Sequence, residues 1–406
     1  MTGRTISLLL LGVLFSCGKA VPKESIKIGA LLSITGSLAQ HGTDELDGVA
    51  FAVDEINKHG GVLGGQLLEV VHRDDASDKA NAPPLVDEMI GTFHTPVIIG
   101  AAGSAITLNV LPQAQAAQVV MISPGASSPL LTTAADDGYL FRTIPSDALQ
   151  GKLFAQRAYA KGFRKVSIIY VNNAYGQGLS DTFAQVFTAA GGTVTTKVAY
   201  VEHQSSYSAL IDGVYAAGTP DAILAVAYQV DGASMIEDYV QRLLSKNTFW
   251  FFSDSFYGPD FVTGVGASSF TFQHEGAVPA TPTSDRFNAF RDAFSVSAAR
   301  APSIYTANGY DAVYLAALAM EASNKADGAL IKAALPAVSA GGTKYGASEY
   351  TEAIKAVHAG TDIDYEGASG PVDFDTNGDV IGAYDIWGVD HTTGLTIKDQ
   401  SISPAP

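Results

Sequence analysis

Short apolar runs alternate with amphipathic stretches along the first 145 residues. The run at residues 26–32 predicts a strand, and residues 43–58 carry apolar side chains at helical spacing. A second run at residues 67–73 predicts the next strand, and Pro83-Pro84 predicts the start of a helix because proline is tolerated in the first turn. The alternation continues through Met121 and is typical of a parallel sheet covered by helices.

A second alternation of the same kind begins after Pro145, and a mainly helical pattern follows Gln273. In this second part the predicted strands are 166–171, 193–201, 222–227 and 249–252, and the predicted helices are 147–161, 175–190, 207–217 and 232–244. The predicted helices after Gln273 are 285–299, 303–323, 328–338 and 348–359. Two closing strands, 371–375 and 380–389, are predicted as a hairpin because Asn377-Gly378 lies between them.

The stretch 98–131 contains two strand ends of one kind. In the first, the apolar run stops at small residues, and Ser104 is a good N-cap for the helix that follows. In the second, Gly125, Ala126 and Ser127 supply backbone N–H and hydroxyl donors after the run. A turn of this composition also joins strand to helix in any α/β protein, so one copy alone favours a plain connection. Two copies on adjacent strands favour a pocket for a carboxylate.

Composition narrows the class of protein. The 406 residues are 47% apolar and 16% charged, which describes a globular chain long enough for two domains. The formal net charge of −17, without a basic cluster, disfavours nucleic acid as a partner. The sequence lacks the GxSxG motif, the P-loop and the GxGxxG motif, and its eight histidines are scattered. We therefore expect a protein without enzymatic activity, cofactor or metal.

The segment from Asp373 to Gly378 imitates the start of a calcium-binding loop. The twelfth position of that loop is Tyr384, which cannot supply the bidentate carboxylate that such a loop requires. This segment is therefore predicted to be a hairpin turn.

Residues 1–17 are typical of an export signal. Arg4 supplies the positive end and residues 6–15 form an apolar run that is too short to span a bilayer. The run ends at Leu14-Phe15-Ser16-Cys17-Gly18, which resembles a bacterial lipobox, and Cys17 is the only cysteine. We therefore expect a lipoprotein signal peptide, acylation of Cys17, a linker at 18–25, and a function in the periplasm or cell envelope beside a membrane. Phe15 departs from the usual small residue, so ordinary cleavage nearby is the alternative.

Several motifs together resemble a known family. They are Lys27-Ile28-Gly29-Ala30 with Gly36, the segment 42–65, Asp74-Asp75, Tyr175-Gly176-Gln177-Gly178, and 365–371 with Gly378-Asp379. In this combination they resemble type I periplasmic binding proteins of the leucine/isoleucine/valine-binding group, over nearly all of the mature chain. The resemblance implies a clamshell of two doubly wound parallel-sheet α/β lobes joined by three crossovers. Lobe 1 is then 26–145 plus 275–358, and lobe 2 is 146–274 plus 359–400.

The resemblance also implies where a ligand binds. Ser104 is similar to the family residue that binds the ligand carboxylate, and the segment of Gly125, Ala126 and Ser127 is similar to the one that binds both carboxylate and amine. Tyr175 and Tyr228 resemble the contribution of the second lobe. The remaining predicted ligand-binding residues are Asp254, as counter-ion of the α-ammonium group, and His41, which stands where the family often has an aromatic residue.

Plainer interpretations of the same residues stay open. Asp254 follows the apolar run 249–252, and an aspartate at a strand end often only caps the next helix. Without the resemblance, surface and ligand-binding roles are about equally favoured for Tyr175 and Tyr228. Asp254 is also one methylene shorter than the glutamate of the leucine-binding members, which leaves the side-chain preference open.

The resemblance implies a receptor that captures a small amino acid, of the branched-chain type or similar, and delivers it to the membrane permease of an ABC importer. Contacts on both lobes exist together only in a closed state, so binding would shift the open and closed populations. One alternative is a sensor of the same fold that binds an amide or a small organic or aromatic acid and reports to a signalling partner. A second is an extracytoplasmic hydrolase, suggested only by serine and histidine residues near the cleft.

Overall fold

A computed structural model describes residues 24–243 and 247–403. The predicted signal peptide with Cys17, and most of the predicted linker, lie outside the described residues. Among the described residues, no helix combines the length and the apolar character that crossing a membrane requires.

The first sheet has five parallel strands in the order β2-β1-β3-β4-β5. Its strands are β1 (Ile26–Leu31), β2 (Leu68–Arg73), β3 (Val97–Gly100), β4 (Val120–Ser123) and β5 (Leu140–Arg142), and the intervening helices are α1 (Ala39–Lys58), α2 (Ala82–Gly91), α3 (Ser104–Ala116) and α4 (Pro129–Thr132). Strands β3 and β4 are wholly buried, as expected when helices cover both faces of a parallel sheet. The strand order reverses between β1 and β3, which is where such sheets bind ligands.

The second sheet starts with five parallel strands. They are β6 (Lys165–Val171), β7 (Thr193–Tyr200), β8 (Ala222–Val226), β9 (Phe249–Phe252) and β10 (His274–Pro279), with helices α5 (Asp147–Ala160), α6 (Ala174–Ala189), α7 (Ser208–Ala216), α8 (Gln229–Arg242) and α9 (Pro259–Val265). The predicted boundary at residue 275 is therefore one strand too early, because β10 pairs with β9 in this second sheet. The βαβ alternation predicted for both halves of the chain is confirmed.

The chain then returns to the first lobe. It forms α10 (Asp285–Ala298), α11 (Thr306–Ser323), α12 (Gly328–Ser339), β11 (Thr343–Tyr345), α13 (Tyr350–His358) and β12 (Ile363–Tyr365). Helix α11 is buried along nearly its whole length, and it crosses α1 closely. A Cβ at Gly48 would lie 1.9 Å from the Thr306 carbonyl oxygen, and one at Gly309 would lie 2.3 Å from that of Glu45. These two glycines permit the helix contact that closes the core of the first lobe.

The chain ends in an antiparallel pair, β13 (Tyr384–Asp390) and β14 (Gly394–Ile402). This pair completes the second sheet in the order β14-β13-β10-β9-β8-β6-β7. The predicted hairpin of 371–375 with 380–389 is wrong, because residues 371–375 form no strand. The predicted turn does form, since the Gly378 N–H donates to the Asp375 carbonyl oxygen at 3.0 Å, but it precedes a crossover between lobes.

A buried ion pair explains that difference. Nε of Arg142 donates to the Asp379 carboxylate at 2.7 Å, and the Thr132 hydroxyl donates to the same carboxylate at 2.6 Å. These contacts hold the segment before β13 on the first lobe, where Phe374 and Val380 join the hydrophobic core. Lobe 1 thus extends past the predicted end at residue 358.

One helix boundary also differs from its prediction. Helix α1 begins at Ala39 rather than residue 43, so the predicted loop before it is shorter. This extra turn carries His41 into the space between the lobes, where its side chain is buried.

Candidate functional site

A narrow cleft lies between the two sheets, at the carboxyl ends of their strands. The lobe 1 residues that line it are Leu38, His41, Glu45, Ala102, Gly103, Ser104, Gly125, Ser127 and Tyr305, and the lobe 2 residues are Tyr175, Tyr228, Asp254 and Ser255. The structure therefore brings together every predicted ligand-binding residue except Ala126. The cleft has a volume of about 20 Å³, which is room for about one water molecule.

Ser104 is the first residue of α3, and its predicted role as N-cap is wrong. Gly103 holds the N-cap position with extended backbone and makes no side-chain cap. The Ser104 hydroxyl oxygen instead accepts the N–H of Ser128 at 3.1 Å, across the gap between the two loops. The hydroxyl hydrogen of Ser104 has no acceptor within the described part of the chain and can be donated to an anion.

Hydrogen bonds of Ser123 and Ser127 fix the loop that follows β4. The Ser123 hydroxyl donates to the Ala101 carbonyl oxygen at 2.6 Å and accepts the N–H of Ala126 at 2.9 Å. Ala126 is wholly buried behind the loop, so this geometry does not support its predicted contact with a ligand. The Ser127 hydroxyl donates to the Asp147 carboxylate at 2.8 Å, and its oxygen can still accept a hydrogen bond.

Two walls face each other across the cleft, the first formed by lobe 1 and the second by lobe 2. Asp254 lies at the centre of the second wall, in a 3₁₀ turn that follows β9. Tyr175 donates to one carboxylate oxygen at 2.6 Å, and Tyr305 donates to the other at 2.8 Å. The rings of Tyr175 and Tyr228 are stacked with centroids 5.9 Å apart, and Asn173 donates to the Tyr228 hydroxyl at 3.0 Å. An acid is thus held between aromatic rings on the floor of the cleft.

Several direct contacts join the lobes across the cleft. Tyr305 immediately precedes α11 of lobe 1, so its hydrogen bond to Asp254 crosses between the lobes. The Ser128 hydroxyl donates to the Ala174 carbonyl oxygen at 2.7 Å, and the Ser37 hydroxyl donates to the Glu202 carboxylate. The structure is therefore a closed arrangement of the two lobes.

The lining of the cleft is acidic. The described residues that line it include Asp254 and Glu45 and no lysine or arginine, and Asp147 lies directly behind Ser127. Burial, followed by the negative charge of Asp254, raises the pKa of Asp147 well above its ordinary value. Burial lowers the pKa of His41 and favours its neutral imidazole.

Glu45 is a lining residue that sequence reasoning missed. One of its oxygens lies so near Gly125 that a Cβ there would be 2.1 Å away, and the other has no hydrogen-bond partner among the described residues. Burial, and then Asp44 and Asp75, raise the pKa of Glu45 well above its ordinary value. Its position one helical turn after His41 was the signal that could have identified it.

Tyr305 is the second missed residue. It lies 51 positions after Asp254 in the sequence, and no local motif marks it. Its ring packs edge-on against that of His41, with centroids 4.9 Å apart. Across residues 24–243 and 247–403, no group of three or more histidine, cysteine, aspartate or glutamate side chains is arranged to hold a metal ion.

Comparison with known proteins places these features in context. A family model described as "Receptor family ligand binding region" matches residues 45–392. The chain is 27% identical over 328 residues to the leucine-, isoleucine-, valine-, threonine-, and alanine-binding protein of Pseudomonas aeruginosa, covering 77% of this chain and 83% of that protein. It is also 27% identical over 365 residues to the chemotactic signal transduction system substrate-binding protein BasB of Halobacterium salinarum, covering 86% and 83%.

Solved structures share the fold. The branched-chain amino acid transporter substrate-binding protein LivJ of Streptococcus pneumoniae, in complex with isoleucine, has a TM-score of 0.75 at 24% identity, covering 92% of this chain and 99% of that one. A solute-binding protein of an R. palustris ABC transporter, in complex with benzoate, has a TM-score of 0.74 at 18% identity, covering 94% and 97%. The two-lobed α/β architecture is therefore shared by proteins whose ligands differ in chemistry.

Proposed function

The chain belongs to the receptor ligand-binding-region family and has the type I periplasmic binding protein fold, and from this premise we propose that it captures a small α-amino acid between its lobes. It acts as the extracytoplasmic substrate-binding protein of an ABC importer and delivers the amino acid to a membrane permease. Relatives named for leucine, isoleucine and valine support an amino acid of the branched-chain type or similar.

The observation that carries this proposal is the position of Asp254. A buried acid on lobe 2 faces hydroxyl and backbone donors on lobe 1, and the cleft lining has no basic side chain other than the neutral His41. An α-ammonium group enclosed between the lobes requires a carboxylate partner, because an unpaired buried charge is strongly unfavourable. The Ser104 hydroxyl and the start of α3 suit the carboxylate of the same zwitterion.

Closure of the lobes is the proposed mechanism of capture. The acid and its hydroxyl donors belong to different lobes, so one ligand touches both only when the lobes meet. A ligand with contacts on both walls thereby stabilises the closed state over the open one. No step of this mechanism breaks a covalent bond, and turnover of amide or ester substrates by the purified protein would contradict it.

A lipid anchor at Cys17 would hold this receptor beside its permease. The lipobox-like sequence before Cys17 and the apolar run of residues 6–15 support export and acylation. Mass spectrometry of protein extracted from membranes should find a lipid-modified Cys17 at the N-terminus. An unmodified N-terminus several residues away would exclude the anchor.

Sensing is a second candidate function. The similarity to BasB, a substrate-binding protein of a chemotactic signal transduction system, favours it specifically. Deletion of the gene should abolish uptake of the ligand if the protein serves a permease. Unchanged uptake together with a lost behavioural response would favour the sensor.

The ligand itself is identified by a binding screen. Thermal-shift measurements of the mature protein against amino acids, small amides and short-chain or aromatic acids, followed by calorimetry, should select an α-amino acid over its deaminated analogue. Preference for the deaminated analogue would contradict the amino-acid proposal and leave the two-lobed binding protein intact.

A further inference from the structure

A second and larger cavity lies beside the cleft, and we call it the hinge chamber. Its volume is about 420 Å³, and residues of all three crossovers between the lobes line it. These are Thr143 and Pro145 of the first crossover, Pro279–Pro282 of the second, and Val380–Ala383 of the third. The hinge chamber is large enough for the side chain of a ligand, whereas the cleft of about 20 Å³ is not.

His41 lines both cavities and is the one described residue that the two linings share. Its ring is held edge-on by Tyr305, and its Nε2 atom lies 3.5 Å from the Ser255 carbonyl oxygen, at the limit of a hydrogen bond. This long contact is the one hydrogen bond of the His41 ring within residues 24–243 and 247–403, and it opposes rotation of the ring only weakly. A modest movement of His41 would join the cleft to the hinge chamber.

The wall of the hinge chamber is chemically distinct from that of the cleft. It is mostly apolar, with aromatic and proline rings that include Tyr257, Pro259, Phe287 and Pro302. Its one acid, Asp44, is already bonded to Gln40, Ser303 and Arg300. Hydroxyl groups such as those of Thr281 and Ser401 lie among the apolar groups. A neutral, flat and mainly apolar group suits these surroundings.

We propose that the cleft and the hinge chamber form one binding site divided by His41, and that its ligand is an α-amino acid with an aromatic side chain. This inference rests on the proposed function, in which the cleft widens beyond the space for about one water molecule and holds the amino and carboxylate groups. The side chain passes His41 and lies between the proline and tyrosine rings of the hinge chamber. Aromatic rings favour stacked or edge-on contacts with such rings, beyond the gain from burying apolar area.

The position of the hinge chamber gives the side chain a second role. A group lodged there touches all three crossovers, which are the segments that must bend when the lobes move. An aromatic side chain of the correct size fills the space that the closed lobes leave between them. A short side chain leaves part of that space unfilled and stabilises the closed state less.

The first arm of the test is a calorimetric series with alanine, valine, leucine, 2-aminooctanoate, phenylalanine and tyrosine. We expect phenylalanine or tyrosine to bind about tenfold or more tightly than leucine, since more apolar area leaves water. Tightest binding by leucine or valine would overturn the inference while the proposed function stands. Tightest binding by 2-aminooctanoate would overturn the aromatic class. Failure of every α-amino acid to bind would refute the proposed function itself.

The second arm fills the hinge chamber. Ile304 lines it and is only partly buried, so Ile304→Trp adds bulk there without replacing a core residue. We expect this variant to lose about tenfold or more in affinity for phenylalanine and to keep its affinity for alanine, whose methyl group is too short to reach the hinge chamber. The control Val296→Trp places the same side chain on an exposed position of α10, where binding should not change. Equal affinity for phenylalanine in Ile304→Trp and the wild type would overturn the proposal.

The third arm removes the partition. His41→Ala should join the two cavities permanently, so we expect the affinity for phenylalanine to rise relative to that for alanine, and an unchanged ratio would overturn the partition. A selective loss of aromatic affinity in His41→Ala would overturn the role of His41 as a partition. Thermal unfolding of each variant establishes that it is folded before its affinities are compared.

Discussion

The two walls of the cleft are built by different means. Lobe 1 presents backbone and small hydroxyl groups from two adjacent loops, with Ser104 and Ser127 at their centre, beside the side chains of His41, Glu45 and Tyr305. Lobe 2 presents large side chains, with Asp254 held by Tyr175 and flanked by Tyr228. The first wall is a product of local backbone geometry, whereas the second depends on strand ends that are far apart in the sequence. The first suits an anionic group and the second a cationic one.

The largest effect is expected on the second wall. Asp254→Asn keeps the shape of the side chain and removes its charge, so binding of an amino acid should weaken by about 3–5 kcal/mol because a buried ammonium loses its counter-ion. Titration calorimetry with the amino acid and its deaminated analogue measures this, and the analogue should bind as well or better. Asp260→Asn, at an exposed position on the same lobe, is the matched control. If Asp254→Asn kept full affinity for the amino acid, the assignment of Asp254 as the counter-ion of the ligand ammonium group would be wrong.

A substitution on the first wall should weaken binding less. Ser104→Ala removes one donor to the ligand carboxylate, and the expected loss is about 1.5–3 kcal/mol of binding free energy, as for hydrogen bonds to charged groups. Calorimetry together with chemical denaturation distinguishes binding from folding, since the same hydroxyl also accepts the N–H of Ser128. An affinity equal to that of the wild type would leave Ser104 with a structural role only.

A smaller effect is expected from Tyr228→Phe, which distinguishes the role of the ring from that of the hydroxyl. Tyr228→Phe keeps the stacked ring and removes only the hydroxyl that accepts from Asn173, a neutral hydrogen bond worth about 0.5–1.5 kcal/mol. Ligand affinity should therefore change little, and the free energy of unfolding should fall by that amount. A large loss of affinity would show that the hydroxyl itself contacts the ligand.

The last prediction concerns pH and the buried acids behind both walls. Burial raises the pKa values of Glu45 and Asp147 well above their ordinary values, so each proton is held more tightly in the folded protein than in the unfolded one. The stability that Glu45 contributes is complete below its unfolded pKa of about 4.3 and is lost as the pH rises toward its folded pKa. Glu45→Gln cannot titrate, so its stability relative to the wild type should increase over that pH window and then level off.

Urea denaturation at a series of pH values measures this difference, and Asp147→Asn should show the same sign because burial also raises the pKa of Asp147. A difference that stays constant with pH would mean that Glu45 titrates alike in the folded and unfolded states.

The sequence predicted the first wall of the cleft better than the second, for physical reasons. The loops that carry Ser104 and Ser127 follow buried strands, and parallel strands bring such ends to one edge, so local pattern predicts their proximity. Asp254 was proposed mainly through resemblance to a family, because an aspartate after a strand has no distinctive local pattern. Tyr305 reaches the cleft only through the packing of α11 on α1, which local sequence does not specify.

The failure at the closing hairpin has a similar cause. The Asn377-Gly378 turn is a correct local signal, and the turn forms. A strand also needs a partner, and the buried contact of Asp379 with Arg142 holds this segment away from the second sheet. A side-chain contact across more than 200 residues thus decided where the true hairpin, β13 with β14, begins.

The three crossings between lobes determine the order in which the protein is able to fold as it is made. All five strands of the first sheet have been synthesised by Arg142, yet the helix that covers α1, α11, begins only at Thr306. Through the synthesis of the intervening residues, the part of α1 that packs on α11 has no native partner. The second sheet is completed later still, because its last strand, β14, ends at Ile402. The native cores of both lobes are therefore complete only when nearly the whole chain has been made.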